Sequence, residues 1–271
     1  MHRAAPHPCG SGPLTPLRVA QLWRYPVKSM AGESVPRLRF GRHGVVGDRA
    51  FALVSADTGR VLTARRVPEL LGASARWFGC EAEIRLPDGS RFRSSDPAAS
   101  DLLSDWLGRA VRLARPAGRA LTVEQYAGDG EAAPSTDFDL PQWGFVDDAP
   151  VHILGEGSLR AAEQWYPQGD WSLPRFRPNV LVTGPEDALL GPRLAAGGAV
   201  LEPTGPCKRC VMVTQPQRGL GKDREILRTL IARADASLGV YAGIVRPGSV
   251  TVNDTLDPLL TAASAQPAGR A

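Results

Sequence analysis

Short runs of alternating apolar and polar residues, each cut off by a turn containing Gly, Pro or Asp, recur through the first half of the chain. Alternation with a period of two sends one face of a segment inward and the other outward, so these runs read as β-strands sharing a core. Val19 to Tyr25 is the first, broken by the loop Pro26-Val27-Lys28-Ser29-Met30-Ala31-Gly32-Glu33, and Ser34 to Phe40 is the second. Gly44-Val45-Val46-Gly47-Asp48-Arg49 turns the chain into a buried strand, Ala50 to Ser55. Asp57-Thr58-Gly59-Arg60 is a hairpin turn into Val61-Leu62-Thr63, and Pro87-Asp88-Gly89 closes another hairpin between Glu83 and Phe92. A helix is predicted over Ala98 to Leu107, with Leu102, Leu103, Trp106 and Leu107 on one face and Gly108 ending it. Val111 to Leu113 is a short strand.

In the second half, Val151 to Leu154 and Asn179 to Thr183 read as strands. Ser158 is expected to cap a helix through Trp165 with Leu159, Ala162 and Trp165 inward, and Ile226 to Ala234 is a second helix. Val240 to Arg246 and Ser249 to Val252 form a closing hairpin around Pro247-Gly248. The first half is therefore mostly antiparallel β, and the chain as a whole reads as α+β and β-rich in two domains, 16–118 and 119–260, the second with flanking helices. A leader, 1–15, and an Ala/Pro-rich tail, 261–271, are expected to be disordered, and Ala127 to Ser135 to be a loop.

A chain of 271 residues is long enough to bury a real core. No apolar run approaches the length needed to cross a bilayer, and Met1 to Thr15 lacks the apolar block of a secretory signal. The four cysteines are irregularly spaced, unlike a disulfide framework, so a reducing cytoplasm is expected. The excess of 32 Lys+Arg over 28 Asp+Glu is small and scattered, which argues against nucleic acid as a partner.

Chemistry concentrates in Glu202-Pro203-Thr204-Gly205-Pro206-Cys207-Lys208-Arg209-Cys210-Val211-Met212-Val213-Thr214-Gln215-Pro216. Two thiols stand three apart with two cations between them, where a Gly/Pro turn runs into a short apolar strand. Cationic neighbours favour a thiolate, the form that attacks electrophiles and binds soft metals. A zinc site would need a second pair, and Cys9 and Cys80 are isolated. A thioredoxin-like pair would open a helix, whereas Val211-Met212-Val213-Thr214 reads as strand. Two thiols packed beside a turn remain the plain alternative. Lys28-Ser29 offers an ammonium and a hydroxyl in a Pro/Gly loop, a combination suited to an oxyanion. Arg49, following Asp48 into an apolar run, calls for an anionic partner. Arg175-Phe176-Arg177-Pro178-Asn179 either leads plainly into the next strand or directs a guanidinium and an amide at a ligand. Asp147 and Asp148 fit a turn, a cap or a ligand contact, and His152 alternates away from the core.

Tyr25-Pro26-Val27-Lys28-Ser29, Gly47-Asp48-Arg49, Leu62-Thr63-Ala64-Arg65, Phe176-Arg177-Pro178-Asn179, Pro206-Cys207-Lys208-Arg209-Cys210 and Pro247-Gly248-Ser249-Val250 follow one another in this order. In this the chain resembles the MOSC family with its N-terminal β-barrel domain, the group that contains the mitochondrial amidoxime-reducing component and its bacterial relatives. The resemblance covers about Leu17 to Leu260 and implies an N-terminal antiparallel β-barrel-like domain followed by a C-terminal MOSC β-barrel domain with flanking helices. It implies a molybdenum cofactor, a pyranopterin dithiolene with a terminal phosphate, and no pyridoxal phosphate. By motif position Cys210 is the metal ligand and catalytic residue, not Cys207. Lys28, Ser29 and Arg49 fall at positions around the phosphate and pterin, Arg177 and Asn179 at a further cofactor contact, and Asp147 near the pterin. The implied reaction removes oxygen reductively from amidoximes, hydroxylamines or N-hydroxylated bases. Electrons are expected from a separate partner (a ferredoxin, a flavodoxin, or a cytochrome-b-type protein with its reductase), because no cysteine cluster for iron and sulfur follows Leu260. No membrane anchor is expected. His152 and Tyr241 are candidate acids by residue type alone. A second implied role is that of a molybdenum cofactor carrier or a sulfur-transfer module with a persulfide on cysteine.

Overall fold

The computed structural model describes residues 17–118, 120–126 and 135–259. The predicted leader and tail lie outside the described residues, and of the expected loop Ala127 to Ser135 only Ser135 is described; it opens a strand. In the first half, β1 (Leu17–Arg24), β2 (Glu33–Val35), β3 (Arg37–Gly41), β4 (Gly44–Val45) and β5 (Ala52–Ser55) precede β6 (Ser74–Phe78), β7 (Glu81–Arg85) and β8 (Arg91–Arg93). Helix α1 (Ala99–Leu107), β9 (Val111–Ala114), β10 (Thr122–Tyr126) and β11 (Ser135–Asp139) follow. The second half runs β12 (Val151–Gly155), α2 (Glu156–Trp165), β13 (Val180–Val182), β14 (Leu194–Ala196), β15 (Ala199–Lys208), α3 (Glu225–Ala234), β16 (Ser237–Arg246), β17 (Gly248–Thr251) and β18 (Thr255–Pro258).

Seven strands close into a barrel in the order β13, β12, β16, β15, β14, β18, β1, and β1 seals it by pairing back onto β13. The sheet thus draws its strands from both ends of the sequence. Its core, with Leu22, Phe40, Ile153, Val180 and Leu201, is filled by the inward faces of those strands and of β3. A second core holds Val27, Phe51, Leu53, Ile84 and Leu103, between the antiparallel sheets β5–β9 and β6–β7–β8 and α1. A third, with Leu154, Trp171, Phe176, Val213 and Leu230, fastens α2 and α3 outside the barrel. The loop after β1 passes from the first core to the second. Val27 and Met30 anchor in the second core, so Lys28 and Ser29 are held at the seam between the two.

Several expected elements are corrected. The single strand Ser34 to Phe40 is two, β2 on β1 and β3 on β17, because Pro36 has no N–H to continue a ladder. The closing hairpin is absent as a pair: β16 lies between β12 and β15, while β17 crosses to β3. The turn read at Pro203 to Pro206 lies inside β15, which absorbs both prolines at register shifts. Helix α2 begins after Gly155, not at Ser158, whose hydroxyl instead meets the buried Glu186 carboxylate that also accepts from Gly155 N at 2.8 Å. Trp165 is 37% exposed because Tyr166, the next residue, takes the inward position, and Leu102 is 39% exposed while Leu103 fills the core.

No helix among the described residues is long and apolar enough to cross a membrane. Phe40 lies fully buried in the barrel core. Phe40→Ala is expected to cost about 3–5 kcal/mol of unfolding free energy, read from the urea midpoint at unchanged slope.

Candidate functional site

Three loops and one strand end meet at the seam. They are the loop after β1, the turn before β5, the approach to β13, and the end of β15 with the turn that follows it. Backbone bonds zip the first two together: Arg49 N to Tyr25 O at 2.7 Å, Phe51 N to Pro26 O at 3.0 Å and Lys28 N to Phe51 O at 2.8 Å. The cleft they enclose has a volume of about 310 Å³, and seven cationic side chains line it against two carboxylates. Three of the lining residues, Ser29, Arg49 and Arg177, hold left-handed backbone with φ of 67, 45 and 55°. Non-glycine residues rarely adopt that conformation, and they persist in it where the surroundings over-determine it, as at ligand clamps.

Lys28 is only 4% exposed, and its ammonium donates to Phe145 O at 2.9 Å and Asp147 Oδ1 at 2.7 Å. Burial pulls the Lys28 pKa down and Asp147 only partly restores it. Asp147 itself is held below the usual carboxylate range: burial works the other way, but Lys28 and Arg65 outweigh it. The guanidinium carbons of Arg177 and Arg49 lie 4.3 and 4.6 Å from the centre of the Tyr25 ring. Arg49 is ion-paired with Asp48. Among the described residues Arg177 has no carboxylate paired with it, and it donates to Met30 O at 2.6 Å; burial, then Arg49, pulls its pKa down to about 10. Asn179 spends both ends of its amide on backbone, accepting from His152 N at 3.2 Å and donating to Trp23 O at 3.3 Å. Ser29 Oγ accepts from Ala64 N at 3.0 Å.

Cys210 is partly exposed in the cleft and Cys207 is buried. The strand expected after Cys210 is a 3₁₀ turn, Val211–Thr214. Its carbonyls find their donors away from any strand: Val211 O accepts from Thr214 Oγ1 at 2.8 Å, Met212 O from Gln215 N at 3.2 Å, Thr214 O from Asp223 N at 2.9 Å and Val213 O from Arg175 at 3.2 Å, and the fully buried Arg175 also donates to Gln215 O at 3.3 Å, Gly221 O at 2.9 Å and Asp170 O at 2.8 Å. Arg65 reaches across from the N-terminal half into the cleft beside Cys210, its guanidinium 3.8 Å from Asp147 Oδ2. Arg209 turns back on Cys207, donating to its Sγ at 2.8 Å and to Phe176 O at 2.7 Å. Lys208 turns away to Asp235 O at 2.6 Å.

Sequence reasoning brought Lys28, Ser29, Arg49, Asp147, Arg177, Asn179 and Cys210 forward, and all seven line one cleft. It missed the part of Arg65, whose only signal was its place in a Leu-Thr-Ala-Arg run after a strand, and of Arg175, which resembled a plain charged lead-in. His152 does face away from the barrel core, as alternation suggested, but the third core and the cleft cover that side and leave it 6% exposed. Its Nε2 is buried with no hydrogen-bond partner among the described residues, as are Tyr25 OH and Arg209 Nε. Tyr241 donates to Asp148 Oδ2 at 3.0 Å and neighbours Cys207. Burial first, then Cys207, raises its pKa, so it keeps its proton.

Among the described residues no group of three or more His, Cys, Asp or Glu side chains is placed to hold a metal ion. A metal beside Cys210 would therefore take its remaining ligands from outside the chain. Desolvated cations in excess of carboxylates, together with orphaned buried polar atoms, suit a bulky, anionic, hydrogen-bonding ligand reaching that thiol.

Residues 141–257 match the MOSC domain, and residues 16–109 match the MOSC N-terminal beta barrel domain. The mitochondrial amidoxime reducing component 2 of Bos taurus is 27% identical, with 87% of this chain and 81% of that protein covered. The molybdenum cofactor sulfurase of Drosophila mojavensis is 25% identical over 83% of this chain, which spans only 31% of that longer protein. The YUAD protein from Bacillus subtilis superposes with a TM-score of 0.48 at 13% identity, covering 89% of this chain and 94% of its own.

His152 gives a pH dependence with a definite sign. Burial, then Arg209, pulls its pKa from 6.5 to about 3, so between those values the unfolded chain binds a proton that the folded chain does not. Stability from this group is complete above pH 6.5 and is lost as pH falls toward 3. Urea unfolding across that range should show a shallower pH slope for His152→Gln than for wild type.

Proposed function

The chain belongs to the MOSC family and carries its N-terminal MOSC β-barrel domain, and from that premise we propose that it is a molybdenum-cofactor-dependent oxidoreductase that reduces N-hydroxylated compounds. The observation that carries the proposal is the surplus of buried cations beside one accessible thiol. A phosphate-bearing cofactor neutralises such a surplus, and a soft thiolate suits its metal. The names of the mammalian relatives point to amidoximes as the substrate class.

Cys210 is the proposed metal ligand, fixed by the 3₁₀ turn that Arg175 holds from behind and oriented by Arg65. Lys28, Arg49 and Arg177 bind the anionic part of the cofactor, with Ser29 at the same loop. Asp147 offers its carboxylate to N–H groups of the pterin while anchoring Lys28. Asn179 forms the wall that joins β12, β13 and β1. When bound, the cofactor supplies a centre that accepts an oxygen atom and cycles two electrons. The protein positions the substrate and supplies protons: reducing an N–OH group to N–H with release of water consumes two protons and two electrons. Tyr241 holds a proton at its hydroxyl, linked to the exposed Asp148 at the cleft mouth. The electrons come from a separate donor protein of the ferredoxin, flavodoxin or cytochrome b type.

The sulfurase relatives support a second reading, a cofactor carrier or a sulfur-transfer module with a persulfide on cysteine. Turnover separates the two. Purified from a host that makes the cofactor and given a chemical reductant, the protein should convert benzamidoxime to benzamidine, and a carrier should not. Cys210→Ala should leave no measurable activity, whereas Cys207→Ala, acting one step from the metal, should lose about 10- to 100-fold at most. Equal loss in both variants with metal retained in both would contradict the assignment of Cys210 as ligand.

A further inference from the structure

A second set of arginines lies outside this cleft, on the outer face of the sheet β6–β7–β8. Ala75, Ile84 and Phe92 turn inward to the second core, so the residues beside them in each strand turn out. Two cross-strand rows on that outer face can be compared. In one, Arg76, Glu83 and Arg93 stand side by side, and each charge has an opposite: Arg93 lies 3.7 Å from Glu83, and Arg76 lies 3.8 Å from Glu33. In the next, Ser74 pairs with Arg85 and Arg85 with Arg91, with no carboxylate in the row. Like charges directly opposite on neighbouring strands are destabilising. Among the described residues neither the Arg85 nor the Arg91 side chain has a hydrogen-bond or ion-pair partner.

A third arginine is carried to the same place by the other half of the molecule. Gln217 and Leu220 exchange backbone bonds of 3.0 and 2.8 Å, closing a two-residue turn with Arg218 and Gly219 at its tip, Gly219 at φ of 78°. The base of that turn is pinned on both sides by one buried side chain, since Arg175 donates to the carbonyls of Gln215 and Gly221. Arg218 is thus presented on a stiff hairpin, not on a slack loop. It lines a cavity of about 200 Å³ with Arg85, Ser74 and the apolar wall of Leu86 and Pro87. Arg85 and Ser74 also line an adjoining cavity of about 120 Å³ with Arg91, Arg76 and Glu83, whose carboxylate lies 3.7 Å from Arg93.

Two rigid elements from opposite halves of the chain therefore bring three unpaired guanidinium groups around two adjacent cavities with a hydroxyl between them. We propose that these cavities form a second anion site, which takes a small polyanion with two phosphoryl groups between Arg85, Arg91 and Arg218. Guanidinium groups match phosphoryl oxygens in pairs of parallel hydrogen bonds, and one phosphoryl group per cavity accounts for both. The site is independent of the molybdenum reading. Its occupant would tie the N-terminal sheet to the hairpin that continues from Cys210.

The probe is inorganic pyrophosphate, titrated calorimetrically into the whole chain. The principal cleft also attracts phosphate, so wild type is compared with Arg85→Gln/Arg218→Gln, with Arg218→Gln alone, with Arg112→Gln as an exposed arginine elsewhere on β9, and with Lys28→Gln in the cleft. Two of the charge-assisted contacts are removed in the double variant, so one binding event should weaken at least about tenfold. Arg218→Gln, at a turn tip that carries no core, should weaken the same event to a lesser degree. Lys28→Gln should leave that event unchanged and alter only the other. Pyrophosphate binding that is identical in wild type and the double variant, or that falls equally in Arg112→Gln, or that is lost entirely with Lys28→Gln, would overturn the proposal.

Discussion

Arg177 and Arg49 against the Tyr25 ring, with Lys28 beside Asp147, impose the condition that the rest of this molecule answers. Taking an ion out of water costs several kcal/mol even after a protein relaxes around it. The protein offsets part of that cost locally, with Asp48 for Arg49, Asp147 for Lys28, and the Tyr25 face with the Met30 carbonyl for Arg177. It does not neutralise the set. A cleft that keeps a net positive lining under desolvation is organised around a ligand that brings negative charge, and the left-handed backbone at Ser29, Arg49 and Arg177 shows how much local conformational preference is overridden to hold that lining in place.

The architecture makes this possible by placing the site where two cores meet. The barrel supplies β1, β12, β13 and β15, and the N-terminal sheets supply the other wall through Phe51, Val27 and Met30. Neither half alone contains the cleft: Arg65 comes to Cys210 from one and Arg175 fixes the turn after Cys210 from the other. Arg175 does so without a carboxylate, by spreading its donors over four carbonyl groups. That arrangement explains why the segment after Cys210 is a 3₁₀ turn although Val211-Met212-Val213 has strand composition. Both edges of β16 are already taken by β12 and β15, and the turn's own carbonyls are taken locally, by Thr214 Oγ1, Gln215 N and Asp223 N, with Arg175 on Val213 O.

The strands with clear alternation and sharp turns were legible in the sequence, and so were the residue types of the site, because Lys28, Arg49, Arg177 and the cysteine pair each sit at a Gly/Pro break where a polar side chain has room to serve a ligand. Pairing was not legible. Pro36 marks a break, but nothing local says that β3 leaves β1 for β17, more than two hundred residues away. Burial of His152 was hidden for a similar reason: alternation reports which side of a strand a residue faces, not whether that side is covered, and here the third core covers it. Arg65 and Arg175 were missed because Asp147 and Cys210, which Arg65 approaches, and three of the four carbonyl groups that Arg175 holds lie far along the chain, and neither leaves a mark in nearby sequence.

Metal and pterin analysis of the protein purified from a host that makes the cofactor tests the central claim most directly, since it asks whether the buried cations and Cys210 hold what their chemistry calls for. The account predicts close to one molybdenum and one phosphorylated pterin per chain, with Cys210→Ala losing the metal more readily than it loses its fold. A well-folded wild-type protein from such a host with neither component would contradict it.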